Sequence, residues 1–430
     1  MRVAFHTMGC KVNQYETQAM RRMLEQAGHE TLEFSADNAD CDALVINSCT
    51  VTGESDRKLR QLLRRFRRQL PADAILVLTG CTPQAYPDKS AHSEADIVLG
   101  NAARQELLPQ LEAYFTHKQR IVSVPPHTKE YEPLEIDAFQ GRTRAFIKIE
   151  DGCNRFCSYC IIPYARGRVR SRAPEDIRAE LERLAANGYK EVVLVGINLT
   201  AYGQDCGLTI ADAVDAACAV PGIERVRLGS LEPDFITDET IARMKAQPKL
   251  CPQFHLALQS GCDATLKRMN RHYTTAEYAD LAQRLREHFP DCALTTDIMV
   301  GFPGETEEEF ESTCRFMESI AFSRVHVFAY SRRPGTVADR LPNQVNNADK
   351  SVRSKKMIRL CQDTATAYAE SYLGKVVEVL LETPYPDGTV DGHTTTYLNV
   401  ITRTEKAAGE LINVHIVKCQ GDTLYGEEIQ

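Results

Sequence analysis

Three cysteines lie within eight positions of one another in the segment EDGCNRFCSYCIIPYARGRVRSR, which covers residues 150–172. Cys153, Cys157 and Cys160 have the spacing Cys-xxx-Cys-xx-Cys. Three thiolates this close together can hold one cubane iron–sulfur cluster, whereas a purely structural cluster normally has four cysteine ligands. The pattern therefore predicts a [4Fe-4S] cluster whose fourth iron is open to a substrate or cofactor.

Zinc binding and simple packing are the alternatives for this loop. A zinc site usually has four ligands, or three ligands and a water, and histidine is common among them. No histidine lies between Arg142 and Arg172. Three cysteines so close together seldom all serve as buried, unliganded thiols. An iron–sulfur cluster is the preferred interpretation.

A second set of three cysteines follows three apolar segments near the N-terminus. Cys10 follows RVAFHT, Cys49 follows ALVIN, and Cys81 follows AILVLT. These segments are β-rich and alternate with helical patterns, as in a parallel α/β sheet. The carboxyl ends of such strands line one crevice, so thiols that are distant in the sequence are expected to converge there. Packing of the three thiols in the core is the alternative.

The elements that must position these cysteines form three predicted domains of an α/β protein. Residues 1–124 have the open parallel α/β pattern, and residues 125–141 read as a Pro-rich, acidic and aperiodic linker. Residues 142–368 contain six βα units, which predict a partial barrel, and the loop of Cys153 follows its first strand. Residues 369–430 contain short strands between Gly, Asp and Pro turns, which predict a small antiparallel β-barrel.

The composition excludes several classes of protein. The chain has 430 residues, of which 43% are apolar and 26% charged, and its net charge is -8. No apolar run approaches the roughly 20 residues that cross a bilayer. The N-terminus is too short and too polar for a secretory signal, so we expect a cytoplasmic protein without a membrane partner. Fifteen cysteines, an odd number, argue against a disulfide framework, and those outside the two triads are interpreted as buried hydrophobic residues.

The loop at residues 150–172 resembles the cluster-binding loop of the radical S-adenosylmethionine (SAM) enzymes. The resemblance implies that SAM binds to the open iron through its amino and carboxylate groups. It also implies that an electron from the reduced cluster cleaves SAM to a 5'-deoxyadenosyl radical. Tyr159 would lie beside the adenine, with core packing as the alternative. Polar residues at strand ends would make the other SAM contacts, with capping or turn roles as the alternative: Gly196, Asn198, Ser230, Glu232, Gln259 and Asp297.

Two cysteine triads narrow the resemblance to the methylthiotransferases, a subgroup of the radical SAM enzymes. The segments TMGCKVNQYE, NSCTVT and GCTPQ are similar to the N-terminal domain of this subgroup. The resemblance implies a second [4Fe-4S] cluster on Cys10, Cys49 and Cys81, whose open iron holds or donates sulfur. It further implies that residues 369–430 form a TRAM-like barrel, which is the RNA-binding module of the subgroup.

The residues after Cys10 favour one branch of this family. Lys11, Val12 and Asn13 resemble the branch that acts on threonylcarbamoyladenosine in tRNA. The isopentenyladenosine branch usually has Gln-Met-Asn at this place, and the ribosomal-protein branch has Pro-Lys-Asn. The expected reaction is methylthiolation of C2 of N6-threonylcarbamoyladenosine beside the anticodon. The alternatives are isopentenyladenosine, a ribosomal-protein aspartate, and a non-catalytic iron–sulfur protein that binds RNA.

The expected partners are tRNA and an electron donor such as flavodoxin or ferredoxin. Two basic clusters are the predicted RNA contacts, one in RKLRQLLRRFRR and one in ARGRVRSR, where alternating arginines share one side of an extended segment. Arginines in such clusters can bind phosphate, and a solvated surface is the alternative. The terminal barrel has four basic and ten acidic residues, unlike a module that binds RNA by charge. The arginines assigned to RNA are Arg64, Arg65, Arg68, Arg166, Arg168 and Arg172.

Overall fold

The computed structural model describes residues 1–35 and 40–429, and the chain falls into two units that are each discontinuous in sequence. Unit 1 comprises Met1–Gln140, Glu150–Ser171 and Ser331–Asp339. Unit 2 comprises Gly141–Ile149, Arg172–Tyr330 and Arg340–Gln430. The domain boundaries given above stay a prediction. Among the described residues, no helix combines the length and the apolar composition that a bilayer crossing needs.

A six-stranded parallel sheet forms the centre of unit 1. Its strands are β1 (Arg2–Thr7), β2 (Glu30–Glu33), β3 (Ala43–Ser48), β4 (Ile75–Gly80), β5 (Ile97–Leu99) and β6 (Ile121–Ser123). The spatial order is β2-β1-β3-β4-β5-β6, and β3 and β4 are buried along their whole length. Burial on both faces explains why the central strands have continuous apolar sequences. The edge strands β2 and β6 are short and partly exposed, and no apolar pattern predicted them.

Helices cover both faces of this sheet. They are α1 (Lys11–Gln26), α2 (Gly53–Gln69), α3 (Cys81–Ala85), α4 (Pro87–Ala91) and α5 (Leu107–His117), with a 3-10 helix at Asn101–Glu106. Alternate residues of β1 belong to two separate clusters of buried side chains. Val3 and Phe5 pack with residues of α1 and α5, whereas Ala4 packs with residues of α2. The parallel α/β fold predicted for this part of the chain is confirmed.

Two later parts of the chain complete unit 1. Residues 150–171 contain the antiparallel pair β8 (Glu150–Asp151) and β9 (Arg170–Ser171), with α6 (Ile162–Arg166) between them. Residues 331–339 are held by Arg333, which is 1% exposed. Arg333 donates to Asp56 Oδ2 at 2.7 Å and to Thr50 Oγ1 at 2.6 Å. This arginine therefore fixes the segment to the residue that follows Cys49.

Unit 2 contains two parallel sheets. Their strands are β7 (Arg144–Lys148), β10 (Glu191–Val195), β11 (Arg225–Leu228), β12 (Ser230–Leu231), β13 (Gln253–Leu256), β14 (Ala293–Val300) and β15 (Arg324–Ala329). One sheet has the order β11-β10-β7 and the other the order β12-β13-β14-β15. The six predicted strands are all present, and the third is divided into β11 and β12. The partial βα barrel predicted for this region is confirmed.

Seven helices accompany these strands in the described part of unit 2. They are α7 (Pro174–Ala186), α8 (Ile210–Cys218), α9 (Asp238–Lys245), α10 (Asp263–Arg268), α11 (Thr275–His288), α12 (Glu307–Ile320) and α13 (Asn347–Glu370), with 3-10 helices at Leu199–Ala201 and Pro233–Phe235. The 3-10 helix Ala338–Arg340 begins in the last segment of unit 1. The side chain of Thr306 accepts from the backbone N–H of Glu309 and closes a capping box at the start of α12. The segment GFPGETEEEF thus ends in the acidic helix start that its sequence indicates.

A closed five-stranded barrel ends the chain. Its strands are β16 (Val376–Pro384), β17 (Thr389–Thr394), β18 (Asn399–Arg403), β19 (Leu411–Gln420) and β20 (Thr423–Ile429), in the order β16-β17-β18-β20-β19. All neighbouring pairs are antiparallel except β18 and β20. A Cβ atom at Gly392 would lie 2.2 Å from the carbonyl oxygen of Leu380, so the close approach of β16 and β17 requires glycine there. The small barrel predicted from the sequence is confirmed.

Unit 2 buries a carboxylate among three arginines. Glu191 begins β10, and its oxygens lie 3.1 Å from Arg227 Nε, 3.3 Å from Arg225 Nη1 and 3.5 Å from Arg144 Nη1. Burial alone would raise the pKa of Glu191, but the arginines outweigh it and lower the pKa to about 2. The carboxylate is therefore ionised throughout the neutral range.

The same arginines hold the terminal barrel. Arg144 Nη2 donates to Glu382 at 3.0 Å, and Arg225 Nε donates to Glu378 at 2.9 Å. The guanidinium carbons of Arg144 and Arg227 lie 4.9 and 4.8 Å from the centroid of the Tyr397 ring. Because β7, β10 and β11 all begin near these residues, the barrel docks at the amino-terminal ends of these strands.

We expect the stability of unit 2 to fall as the pH drops below about 4.5, the ordinary pKa of glutamate. The folded-state pKa is lower, so the stabilisation is fully present above that pH and is lost as the pH falls towards 2. The shift corresponds to about 3 kcal/mol. Urea unfolding across this pH range, followed by hydrogen exchange in β10, measures it.

Two variants locate the cause of that pH dependence. Glu191→Gln should be less stable at neutral pH and should lose the acid-dependent step. Glu182→Gln changes an exposed carboxylate on α7 and should keep the wild-type curve. If Glu191→Gln keeps the wild-type loss of stability in acid, another group causes it.

Candidate site with two cysteine triads

The first triad lies at the carboxyl ends of three neighbouring strands. Cys10 is the residue before α1 and follows β1, Cys49 follows β3, and Cys81 is the first residue of α3, directly after β4. The strands β1, β3 and β4 are adjacent and parallel, so their carboxyl ends meet at one edge of the sheet. Cys10 is exposed to solvent, and Cys49 and Cys81 are buried. Three cysteines that span 72 positions of the sequence therefore share one edge.

Two glycines allow this close approach. Gly9 has φ +111°, and a Cβ atom there would lie 2.7 Å from Cβ of Cys49 and 3.2 Å from its Sγ. Gly80 has φ +100°, and a Cβ atom there would lie 2.4 Å from the carbonyl oxygen of Ser48. Both backbone angles belong to the left-handed region that glycine tolerates. Steric crowding and a positive φ thus explain why glycine precedes both Cys10 and Cys81.

The three thiol groups of this triad are suitable ligands for an iron–sulfur cluster. Burial, with smaller contributions from the neighbouring thiols of Cys81 and Cys10, raises the pKa of the Cys49 thiol to about 12, although Arg166 acts in the opposite direction. This influence reflects the proximity of the three cysteines at one edge of the sheet. Cysteine binds a metal as the thiolate, and iron–sulfur clusters are held by cysteine thiolates. The residues present are therefore those that such a cluster needs.

The second triad lies in the loop between β8 and α6. The backbone N–H groups of Arg155 and Ile162 lie 3.4 Å from the sulfur atoms of Cys153 and Cys160, respectively. The Cys153 N–H donates to the carbonyl of Gly167 at 3.0 Å, which ties the start of the loop to its end. All three thiols of this triad are half-buried. Hydrogen bonds to sulfur are a usual feature of iron–sulfur sites, so these three thiols also fit a cluster.

One buried arginine connects the two triads within unit 1. Arg166, the last residue of α6, is 1% exposed. Its Nη1 atom donates to Glu16 Oε1 at 2.6 Å and to Asp151 Oδ1 at 3.2 Å, and its Nη2 atom donates to Asn13 Oδ1 at 2.9 Å. The same Asn13 oxygen lies 3.4 Å from the sulfur of Cys10. Arg166 therefore joins the loop of the second triad, through Asn13, to Cys10 of the first triad.

The carboxylates around Arg166 form ion pairs rather than a metal site. Glu16, Glu132 and Asp151 place one oxygen each within 4.8 Å of the others. Arg104, which is 1% exposed, has its Nη2 atom 3.1 Å from Glu16 and 3.8 Å from Asp151, and it also pairs with Glu132. With Arg166 on the other side and Arg170 Nη2 3.5 Å from Asp151, three guanidinium groups balance the three carboxylates. A cation would have to displace them.

Replacing Arg166 by glutamine is expected to destabilise unit 1 by about 3–5 kcal/mol, because Glu16 and Asp151 would stay buried with less compensating charge. Urea unfolding followed by hydrogen exchange in α1 measures the change. Arg60→Gln removes an exposed arginine from α2 and is the matched control, with an expected change within about 0.5 kcal/mol. An Arg166→Gln protein that unfolds like the control would show that the buried ion pairs do not stabilise unit 1.

The predicted SAM contacts after the first barrel strands lie at strand ends of unit 2. Gly196 and Asn198 follow β10, and Asn198 is buried, with its Oδ1 accepting from Thr200 Oγ1 at 3.2 Å. Ser230 begins β12 and is exposed. Glu232 follows β12, and Arg271 Nη1 donates to its carboxylate at 2.9 Å. Their contact with SAM stays a prediction.

The remaining SAM contacts were predicted at the next strands and in the cluster loop. Gln259 lies beyond β13 with φ +71°, and its N–H donates to the carbonyl of Asp297 in β14 at 2.9 Å. The Asp297 carboxylate lies 3.4 Å from His255 Nε2. Tyr159 is half-buried between Cys157 and Cys160 in unit 1. These assignments also stay predictions.

The arginines assigned to RNA divide into two groups. Arg64, Arg65 and Arg68 are exposed on α2, and Arg168 is exposed in the segment after α6. Arg166 is buried as described, and Arg172, 3% exposed, pairs with Glu180. The charges of the buried two are already neutralised by carboxylates. The prediction of RNA contact therefore depends chiefly on the exposed four, and it stays a prediction.

Sequence reasoning gave no role to several residues that support the site. Asn13 follows Cys10, the residue before α1, by three positions, and Glu16 follows Asn13 by three, so each side chain lies about one helical turn from the one before it. That spacing was visible in GCKVNQYE. Arg333 contacts Asp56 across 277 positions of the sequence, and no local pattern signals such a contact.

Comparison with known proteins agrees with this arrangement. Residues 147–317 match the radical SAM superfamily, and residues 2–100 match the uncharacterized protein family UPF0004. The structure is similar to that of the radical SAM methyltransferase TsrM from Kitasatospora setae, which was solved with cobalamin and a [4Fe-4S] cluster. The TM-score is 0.58 at 16% identity, over 79% of this chain and 77% of that one. At this identity the likeness concerns the fold alone.

Two proteins found by sequence comparison have a higher sequence identity to this chain than TsrM has. The threonylcarbamoyladenosine tRNA methylthiotransferase MtaB of Bacillus subtilis is 40% identical over 97% of this chain and 94% of its own length. The tRNA-2-methylthio-N(6)-dimethylallyladenosine synthase of Caldicellulosiruptor saccharolyticus is 35% identical over 98% of this chain and 91% of its own length. Both matches cover nearly the whole of this chain. The chain belongs to the radical SAM methylthiotransferase family.

Proposed function

We propose that this enzyme adds a methylthio group to C2 of N6-threonylcarbamoyladenosine beside the anticodon of tRNA. The product is 2-methylthio-N6-threonylcarbamoyladenosine. The observation that carries the proposal is the presence of two cysteine triads in one unit, joined through Asn13 and Arg166. The similarity to MtaB over nearly the whole chain supports the choice of nucleoside.

The reaction explains why the protein has two triads. The C2–H bond of an adenine ring is not acidic enough for removal by a side chain whose pKa lies near neutrality, so acid–base catalysis does not suffice. When bound, the two [4Fe-4S] clusters and SAM supply electron transfer, radical chemistry, sulfur and methyl groups. Cys153, Cys157 and Cys160 would hold the cluster that binds SAM, and Cys10, Cys49 and Cys81 the cluster that handles sulfur.

The remaining residues of unit 1 position these groups. Asn13 fixes the side chain of Cys10, and Arg166 holds Asn13 and Asp151 in one network. Asp151 accepts from the N–H of Gly152 at 2.9 Å, directly before Cys153. A small acidic redox protein, flavodoxin or ferredoxin, is the proposed electron donor.

The isopentenyladenosine reaction is the second candidate. The similarity to the dimethylallyladenosine synthase, at 35% identity over 98% of this chain, favours it. Both reactions place sulfur on the same ring carbon, so the cysteine triads do not distinguish them. The difference must lie in the contacts to the group on N6 of the base.

Mass analysis of nucleosides from total tRNA tests the proposal. A strain without this gene is expected to lose the methylthio mass on threonylcarbamoyladenosine and to regain it when the gene is restored. Loss of the methylthio group from isopentenyladenosine instead would show that the second candidate is correct. If neither nucleoside changes, tRNA is not the substrate, and both proposals fail.

A further inference from the structure

Two aromatic rings are exposed beside the cysteines of the second triad. Phe156 lies between Cys153 and Cys157 and is 38% exposed, and Tyr164 lies on α6 and is 57% exposed. Their ring centroids are 6.3 Å apart and the ring planes meet at 89°. The two rings thus form a small aromatic surface on the loop that holds the cluster ligands.

A cation lies over one of these rings, and an exposed aliphatic residue follows in a segment bonded to the same loop. The guanidinium carbon of Arg168 lies 4.6 Å from the centroid of Phe156. Ala338 donates its N–H to the carbonyl of Ser158 at 2.7 Å, which brings the neighbouring Val337, 64% exposed, to the same loop. We call Phe156, Tyr164, Arg168 and Val337 the loop face.

Folding alone does not account for the loop face. Phe156 has φ +52°, a backbone conformation that a bulky residue rarely adopts and that tends to occur at functional sites. The 38% of Phe156 that stays exposed forfeits a substantial part of the hydrophobic stabilisation that full burial would give. A residue that is both strained and exposed next to cluster ligands therefore suggests a binding role.

We propose that the loop face binds unpaired bases of the RNA substrate by stacking. This proposal rests on the function proposed above and identifies the contacts for that substrate. Proteins recognise RNA loops by stacking splayed bases on aromatic rings and on the planes of arginine side chains, which are the groups present here. Arg168 adds attraction to nearby phosphates.

The basic helix α2 of the same unit supports an RNA partner over a protein partner. It carries seven Lys or Arg residues and two acidic residues. An acidic redox protein would be attracted mainly by charge, whereas the loop face is largely aromatic and aliphatic and carries one charged side chain. Nucleic acid matches both features, because phosphates bind to basic groups and bases stack on rings.

The first test measures binding of an anticodon stem–loop RNA to the cluster-loaded, full-length protein. Tyr164→Ala is expected to raise the Kd about ten-fold, in line with the contribution of one stacked base. Phe115→Ala removes an exposed ring outside the loop face and is the control; like Phe156, Phe115 is 38% exposed and has a cation, Lys118, over its ring at 4.7 Å. Iron content, measured for every variant, shows whether the clusters have been loaded.

The second test identifies stacking directly. Loop bases of the RNA are replaced one at a time by the fluorescent base 2-aminopurine. Wild-type protein is expected to quench at least one of them, and Tyr164→Ala or Phe156→Ala should abolish that quenching. Phe115→Ala should quench like wild type. If quenching persists in both loop-face variants, the proposal is wrong.

Salt dependence separates stacking from charge. Tyr164→Ala should leave the slope of log Kd against log salt concentration unchanged, because no phosphate contact is lost. Arg65→Ala on α2 should reduce the slope by about one. A change of slope in Tyr164→Ala, with no change of Kd at high salt, would contradict stacking.

The remaining outcomes separate this proposal from the proposed function. If Tyr164→Ala binds the RNA normally and wild type produces the methylthiolated nucleoside, the loop face is not an RNA site and the function stands. If the variant binds RNA normally but is reduced slowly by flavodoxin, the loop face serves the electron donor and the proposal is wrong. If wild type neither binds nor modifies the RNA, both proposals fail.

Discussion

Replacement of Cys157 by alanine is expected to abolish the anaerobic release of 5'-deoxyadenosine from SAM. The variant keeps two of the three thiols of the loop, and two thiolates do not hold a cubane whose open iron binds SAM. Chromatography of the reaction with dithionite as reductant measures the release. This is the largest effect expected for any single substitution, because every later step depends on SAM cleavage.

A second cysteine provides the control for this experiment. Cys41 is 5% exposed, lies in unit 1 and belongs to neither triad. Cys41→Ala removes a buried thiol from the same unit and should release 5'-deoxyadenosine at the wild-type rate. If Cys157→Ala also turns over SAM, the loop does not hold the catalytic cluster.

Replacement of Cys49 by alanine should separate SAM cleavage from sulfur insertion. Cys49 lies after β3 among the first triad, so the loop of Cys157 keeps its three ligands. The variant is expected to release 5'-deoxyadenosine and to form no methylthiolated nucleoside. Its iron content should fall from about eight to about four atoms per chain, because one of two cubanes is lost.

The comparison of the two variants is the decisive control. Cys157→Ala should also lose about half of the iron, but it should lose SAM cleavage with it. A Cys49→Ala protein that forms methylthiolated nucleoside would show that the first triad does not handle sulfur. A protein that loses both activities would show instead that the two sites do not act separately.

The sequence was informative where local pattern determines structure. The apolar runs of β1, β3 and β4 predicted buried parallel strands, and their carboxyl ends carry Cys10, Cys49 and Cys81. Strand alternation likewise predicted the partial barrel and the terminal barrel. The edge strands β2 and β6 were missed because partly exposed strands have no continuous apolar pattern.

Arg166 shows why contacts between distant parts of the sequence could not be predicted. The segment ARGRVRSR was read as extended, with its arginines on one side. The structure ends α6 at Arg166 and turns at Gly167, which has φ +75°, so the arginines separate. Arg166 then pairs with Glu16, 150 positions away in the sequence. A single sequence records the charges of both residues but not their proximity.

The discontinuity of unit 1 has a consequence for the order of events during synthesis. Domains generally fold from the N-terminus as the ribosome releases the chain. Residues 1–140 emerge first. Glu16 can form its ion pair only after Arg166 has been synthesised, and Asp56 only after Arg333 has been synthesised. The nascent chain thus contains the three cysteines of the first triad long before their surroundings are complete. We expect the edge of the sheet to mature only after residue 339 has left the ribosome, so cluster insertion there follows translation.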